Sequence, residues 1–187
     1  AFGQVANFKT NSNIPIEKIA IALNSNLKKS IRIISAEEVD EKFHSRLTCK
    51  KKTYRYVINN SEFSSAIYRN LETHIPQKLD VGKMKQGAKY FEGEHDFKAF
   101  KASSKSSIRT IYKAEVFEMP NNRIYIELTG NGFLYNMVRI IAGTLVDVGI
   151  GKIKPEDIKK IIESKDRSLA GKTLQPNGLY LVSVKYE

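Results

Sequence analysis

The stretch 108–148 constrains this chain most, because two alternating apolar runs are followed at once by its longest apolar helical pattern. Ile124, Ile126 and Leu128 recur at every second residue and therefore share one face of a strand. The run Met119-Pro120-Asn121-Asn122 separates that segment, Arg123 to Thr129, from Ile108 to Glu118, so an antiparallel hairpin is the natural pairing. From about 134 to 148 the period changes: Met137, Ile140, Ile141, Thr144, Leu145 and Val148 point to one helical face, and Gly149 and Gly151 end the helix. A one-faced sheet and a striped helix bury their apolar sides against each other, which predicts an α+β fold, an antiparallel or mixed sheet with helices packed on it.

The flanking segments extend this pattern. Phe2 to Phe8 alternates loosely and predicts a strand, and Pro15 opens a helix over 15–25 whose Ile16, Ile19, Ala20 and Leu23 form an apolar face. Ile31 to Ser35 and Thr53 to Ile58 are β-branched or aromatic runs expected as strands. Asp80 caps a helix carrying Val81, Met84, Ala88 and Phe91, with Gly93 as its stop. Pro155 begins another helix with Ile158, Ile161 and Ile162 on one side, and Gly178 to Tyr186 closes the chain as a strand. The polar connector near 36–47 is the best candidate boundary, dividing a short remnant, 1–45, from a domain of usual size, 46–187.

Charge then narrows the partners. With 31 Lys and Arg against 20 Asp and Glu the net charge is +11, which excludes an acidic solvating tail or a carboxylate-rich metal buffer. A lone Cys49 forms no intrachain disulfide, and His44, His74 and His95 lie far apart, so the chain is expected to be cytoplasmic and free of metal. No apolar run reaches the roughly 20 residues of a membrane helix. The first residues show neither an initiator Met nor the charged start of a signal peptide, so a longer parent chain is expected.

The basic residues cluster. Lys50-Lys51-Lys52 runs into Tyr54-Arg55-Tyr56, and Lys98, Lys101, Lys105, Arg109 and Lys113 crowd a second stretch. Cations attract phosphates while Tyr rings offer stacking surface to unpaired bases, so the combination favours single-stranded or loop RNA over a merely solvated lysine face. The run Lys98 to Ser107 has the composition of a flexible loop able to follow a phosphate backbone, or of a plain surface loop.

Arg139 is the most informative single residue, since a guanidinium halfway along an apolar helix is costly to bury without a partner. Asp147 lies eight residues on, beyond intrahelical reach, which leaves snorkelling to the surface or a place beneath a functional site. Asp96 has the setting of a helix cap, and His44 and His95, each beside or near Phe, that of packed or surface residues. No Gly-rich phosphate cradle or Ser/His/Asp order is present, so these residues do not compose a complete catalytic site.

Taken in order, several segments carry a family resemblance: Gly3-Gln4-Val5-Ala6-Asn7-Phe8, Phe43-His44-Ser45-Arg46, Lys52-Thr53-Tyr54-Arg55-Tyr56, Gly93-Glu94-His95-Asp96-Phe97-Lys98-Ala99-Phe100, Arg109-Thr110-Ile111, Phe133-Leu134-Tyr135-Asn136-Met137-Val138-Arg139 with Ala142-Gly143, and Asp166-Arg167 with Gly178-Leu179-Tyr180-Leu181. Together they resemble the tRNA pseudouridine synthase A family, uridine isomerases of the anticodon arm. The resemblance implies cofactor-free chemistry: an Asp attacks the uridine, the glycosidic bond breaks, the base turns and is rejoined through carbon 5. In the family that Asp stands in a G-R-T-D-A-G-V-H segment just before the residues matching Ala1-Phe2-Gly3, so the resemblance implies an inactive fragment without its nucleophile. It also implies that Arg139 pairs with that Asp and that Tyr54 lies against the target base and accepts or relays the carbon 5 proton. Arg46 and Arg109 would position phosphates, as would the lysine run that includes Lys52. A homodimer acting on tRNA, at positions 38 to 40, follows from the family alone. The alternative is a basic RNA-binding module that never had a nucleophile.

Overall fold

The computed structural model describes residues 1–101 and 106–186. Two compact units divide the chain: residues 5–48, and residues 49–187 together with 1–4.

The larger unit is built on a six-stranded mixed sheet. Its strands are β1 (Lys51–Asn59), β2 (Thr73–His74), β3 (Gly93–Asp96), β4 (Ile108–Met119), β5 (Arg123–Gly130) and β6 (Leu179–Lys185). Its helices are α2 (Val81–Lys89), α3 (Met137–Gly149) and α4 (Asp157–Ser164). The order runs β2-β1-β5-β4-β3; β6 pairs antiparallel with the first part of β1, and β2 pairs parallel with its last two residues. The α+β class expected from the sequence is the fold observed. The predicted hairpin forms as β4 and β5, with Val116 opposite Ile126 and Ala114 opposite Leu128. Its turn places Asn121 and Asn122 at φ 60° and 53°, a left-handed backbone that Asn tolerates better than other side chains.

Alternation decides which strand residues enter the core. Tyr56 and Ile58, Ala114 and Val116, and Ile124, Ile126 and Leu128 all point to the side covered by the helices and are buried. Against them α3 sets Met137, Ile140, Ile141, Thr144, Leu145 and Val148, each fully buried as its period required. Asp80 caps α2 by accepting from the Lys83 amide at 3.0 Å. On the opposite sheet face Arg55 bonds Glu127 and lies over the Tyr125 ring at 4.7 Å, while Arg123 bonds Glu72 and lies over Tyr68 at 4.6 Å. Arg55 is thus turned away from the face that carries Tyr54 and Tyr56.

The Tyr56 hydroxyl donates to the Gln175 carbonyl at 2.6 Å and shares a hydrogen bond with the Thr73 hydroxyl. Burial pushes its pKa up to about 12, although the Thr73 hydrogen bond and the Arg139 charge pull the other way. The unfolded chain releases this proton near pH 10, so from there to about pH 12 the unfolded state binds fewer protons and stability falls as pH rises. Tyr56→Phe is expected to remove roughly 3 kcal/mol of that alkaline loss, read as a shallower fall of the urea midpoint between those pH values.

Several expectations are corrected. No strand forms over residues 2–8: the Phe2 amide donates to the Leu181 carbonyl at 2.8 Å and its ring stacks on Tyr180, but no ladder continues. Ile31 to Ser35 is irregular as well. There the side-chain amide of Asn24 takes both backbone groups of Ile33, at 2.8 and 2.9 Å, in place of a neighbouring strand. Within residues 5–48 the helix α1 (Ile16–Asn26) forms as predicted, yet none of its residues is buried. Gly93 to Asp96, where the sequence offered only a helix stop at Gly93 and a helix cap at Asp96, is the edge strand β3. Phe97 to Phe100 opens the predicted flexible run as a 3₁₀ turn, with Ala99 and Phe100 buried; residues 102–105 of that run, Lys105 among them, lie outside the described residues. Among the described residues no helix is long and apolar enough to cross a membrane.

Candidate active site

Three parts of the larger unit converge at one end of the sheet's helix-covered face. The first is β1, where alternation puts Lys52 and Tyr54 on the same side as buried Tyr56. The second is β4, whose Arg109 shares a face with buried Ile111. The third is the connection from β5 to α3, Asn131 to Asn136, which folds over the strand ends.

That connection is fitted to its surroundings residue by residue. Gly130 stands opposite Lys52 and lets Thr110 approach so closely that an added Cβ would lie 2.7 Å from the Thr110 carbonyl oxygen. Gly132 lies beside the Arg109 side chain, whose Nε would meet a Cβ there at 3.7 Å, an ordinary van der Waals contact. The Phe133 ring meets the Tyr54 ring edge-on, centroids 5.3 Å apart and planes at 81°. Both rings pack on the core while remaining half-exposed. Burial raises the Tyr54 pKa above its ordinary 10.0, with the Cys49 charge adding in the same direction, so its hydroxyl keeps its proton through neutral pH.

Arg139 emerges from α3 half-buried. Its Nε donates to the Leu174 carbonyl at 2.6 Å and its Nη1 to the Asn136 side-chain oxygen at 2.8 Å. The sequence pointed to a carboxylate partner; the partners found are a main-chain carbonyl and an amide. Neutral oxygens suffice because the guanidinium keeps contact with solvent, which lowers the cost of holding its charge. Asp147 is engaged elsewhere, 3.6 Å from Lys152. Nη2 has no protein partner among the described residues. The Leu174 carbonyl reaches Arg139 because the strap Ala170 to Gln175 crosses close over α3: the Gly171 amide donates to the Thr144 side-chain Oγ1 at 2.9 Å, and the Leu174 amide to the Arg139 main-chain carbonyl at 3.4 Å. The same strap supplies the Gln175 carbonyl to Tyr56.

Of the residues singled out by sequence, Lys52, Tyr54, Arg109 and Arg139 belong to this unit and to this face. Arg46 belongs to residues 5–48, is exposed, and has its backbone amide bonded to His44 Nδ1 at 3.2 Å. The histidines are used structurally: His44 closes that turn, and His95 bonds the Glu92 carbonyl and packs edge-on to Phe97. Asp96 caps its 3₁₀ turn through the Lys98 amide and pairs with Lys165 at 3.1 Å. A hydrogen bond from Ser107, with Lys165 beside it, holds its carboxyl below the usual carboxylate range. Among the described residues no three His, Cys, Asp or Glu side chains form a group that could hold a metal ion. Sequence reasoning missed the contacts of Phe133 and Asn136, for which motif membership was the sole signal, and the Leu174 carbonyl, for which there was none.

A family model described as tRNA pseudouridine synthase matches residues 88–187, the stretch that carries Arg109, Phe133, Asn136 and Arg139. Over its whole length the chain is 51% identical to a tRNA pseudouridine synthase A of Ruminiclostridium cellulolyticum and 52% identical to one of Caldicellulosiruptor saccharolyticus, covering 77% of each. A tRNA pseudouridine synthase A of Bacillus pumilus is 43% identical over the whole chain and is covered to 76%. A chain with these relatives over all of its residues, and with the family's model across strands β3 to β6 and the central helix, belongs to the tRNA pseudouridine synthase family.

Proposed function

We propose that the full-length gene product isomerises uridine to pseudouridine in the anticodon stem-loop of tRNA, and that the β1, β4 and α3 cluster is the side of its active site contributed by these residues. The observation that carries this reading is the fixed guanidinium of Arg139, on the same sheet face as Tyr54, in a chain whose relatives are named for this reaction. Arg139 offers its remaining N–H groups to the acidic nucleophile, favouring the ionised, reactive carboxylate by charge and hydrogen bonding. Tyr54 lines the position of the extruded base, with Phe133 keeping its ring upright, and its protonated hydroxyl serves in relaying the carbon 5 proton. Lys52, Arg109 and Arg46 contact phosphates. The enzyme works in the cytoplasm, as a homodimer and without a cofactor, and residues 1–45 and 46–187 belong to its two successive domains.

Tritium release from carbon-5-labelled uridine in tRNA tests the assignment. The full-length gene product is expected to release it; no release, with tRNA still bound, would favour the non-catalytic RNA-binding reading instead. In the same protein Tyr54→Phe is expected to bind tRNA normally and to turn over about 100-fold more slowly. Any alkaline limb that Tyr54 gives its parent should lie above the ordinary phenol range, because burial raises its pKa. Unchanged turnover in Tyr54→Phe would take that side chain out of the chemistry.

A further inference from the structure

Asn is among the most effective residues for capping a helix start, since its side-chain oxygen can accept from an amide of the first turn. Asn136 occupies that position before α3, yet its side chain caps nothing. Its oxygen accepts instead from Arg139 Nη1 at 2.8 Å. Its backbone, at φ 62° and ψ 2°, lies in the left-handed region, where a residue other than glycine is strained and Asn is among the few that are tolerated. A helix start that forgoes its cap and accepts a strained residue has that residue committed to another task.

The task is visible in the guanidinium. Leu174 fixes Nε from one side and Asn136 fixes Nη1 from another, so the planar fork is held in its own plane with Nη2 left over. With the Leu174 bond alone, the group could turn about its long side chain. We infer that Asn136 is a positioning residue for the isomerisation: through its hydrogen bond to Arg139 it aims the free edge of the guanidinium at the reacting carboxylate. This rests on the proposed role of Arg139.

The test uses the full-length gene product. Asn136→Gly accepts the left-handed backbone but lacks the acceptor; kcat is expected to fall about 10-fold, with KM for tRNA and the melting temperature nearly unchanged. In an Arg139→Lys background, where the fork is already gone, the same change should cost less than about twofold. Asn136→Asp keeps shape and backbone while placing a negative charge on Arg139. That charge competes with the guanidinium's pull on the nucleophile, so the acidic limb of the pH profile should move up by about one unit. If Asn136→Gly keeps full kcat while Arg139→Lys loses it, or if Asn136→Gly costs the same in both backgrounds, or if Asn136→Asp leaves the limb in place, the positioning role is overturned. If Arg139→Lys itself keeps full kcat, it is the reading of Arg139 that fails.

Discussion

Arg139→Leu in the full-length gene product is expected to lower turnover at least about 100-fold while leaving tRNA affinity within a few-fold. The substitution is close in bulk along the stem, so the helix-facing core is preserved. It strips a hydrogen bond from the Leu174 carbonyl and another from the Asn136 amide, groups near enough to solvent that the stability cost stays at about 1–3 kcal/mol. The catalytic loss is larger because the positive charge goes. A guanidinium beside a carboxylate lowers its pKa by roughly 1–3 units, so without it the nucleophile titrates higher and is less often ionised. The sign is testable: the acidic limb of the pH profile should move upward, and turnover should recover partly at higher pH. Arg139→Lys, which keeps charge but has no planar fork, should fall between the two. Equal turnover and an unmoved limb in Arg139→Leu would dismiss the proposed pairing.

Gly143→Ala is expected to damage folding and turnover together. Inside a helix this change ordinarily gains about 1 kcal/mol, because glycine is the poorer helix former. Here an added Cβ would stand inside the van der Waals shell of the Lys172 carbonyl oxygen, and a Cβ on Gly171 would lie 2.5 Å from the Gly143 carbonyl carbon. Both partners are main chain and cannot swing aside, so the strap must lift off α3. We expect a net loss of about 2 kcal/mol or more, a drop of at least about 4–8 °C in melting temperature for a chain of this size. Because that strap carries the Leu174 and Gln175 carbonyls, Arg139 and Tyr56 would lose their anchors in the same movement. An alanine variant that melts with the parent would show that the strap is free to yield.

Local patterns made much of the fold legible. The β4–β5 hairpin and the inward face of α3 appear in the sequence because each needs nothing beyond its own periodicity to be recognised. Strand β3 was hidden, since Gly93, Glu94, His95 and Asp96 show no apolar alternation and pair through backbone groups offered by the edge of β4. The opposite error arose at Phe2 to Phe8 and at Ile31 to Ser35, where strand-like residues find no neighbouring ladder and Ile33 is satisfied by the Asn24 side chain. At the site, the need of Arg139 for partners could be read from one charge in an apolar helix.

By itself the sequence determined which chemical groups the molecule has to place: a basic surface, a tyrosine-bearing strand, a guanidinium within the central helix, and the alternation that folds strands and helices into one core. Tertiary structure alone decided what that guanidinium meets. Leu174 lies 35 residues from Arg139 along the chain and contributes a carbonyl that every residue type possesses. A main-chain acceptor leaves no mark in residue identity, so the path of the strap over Gly143, set by backbone packing, had to be seen before Arg139 could be given its partners.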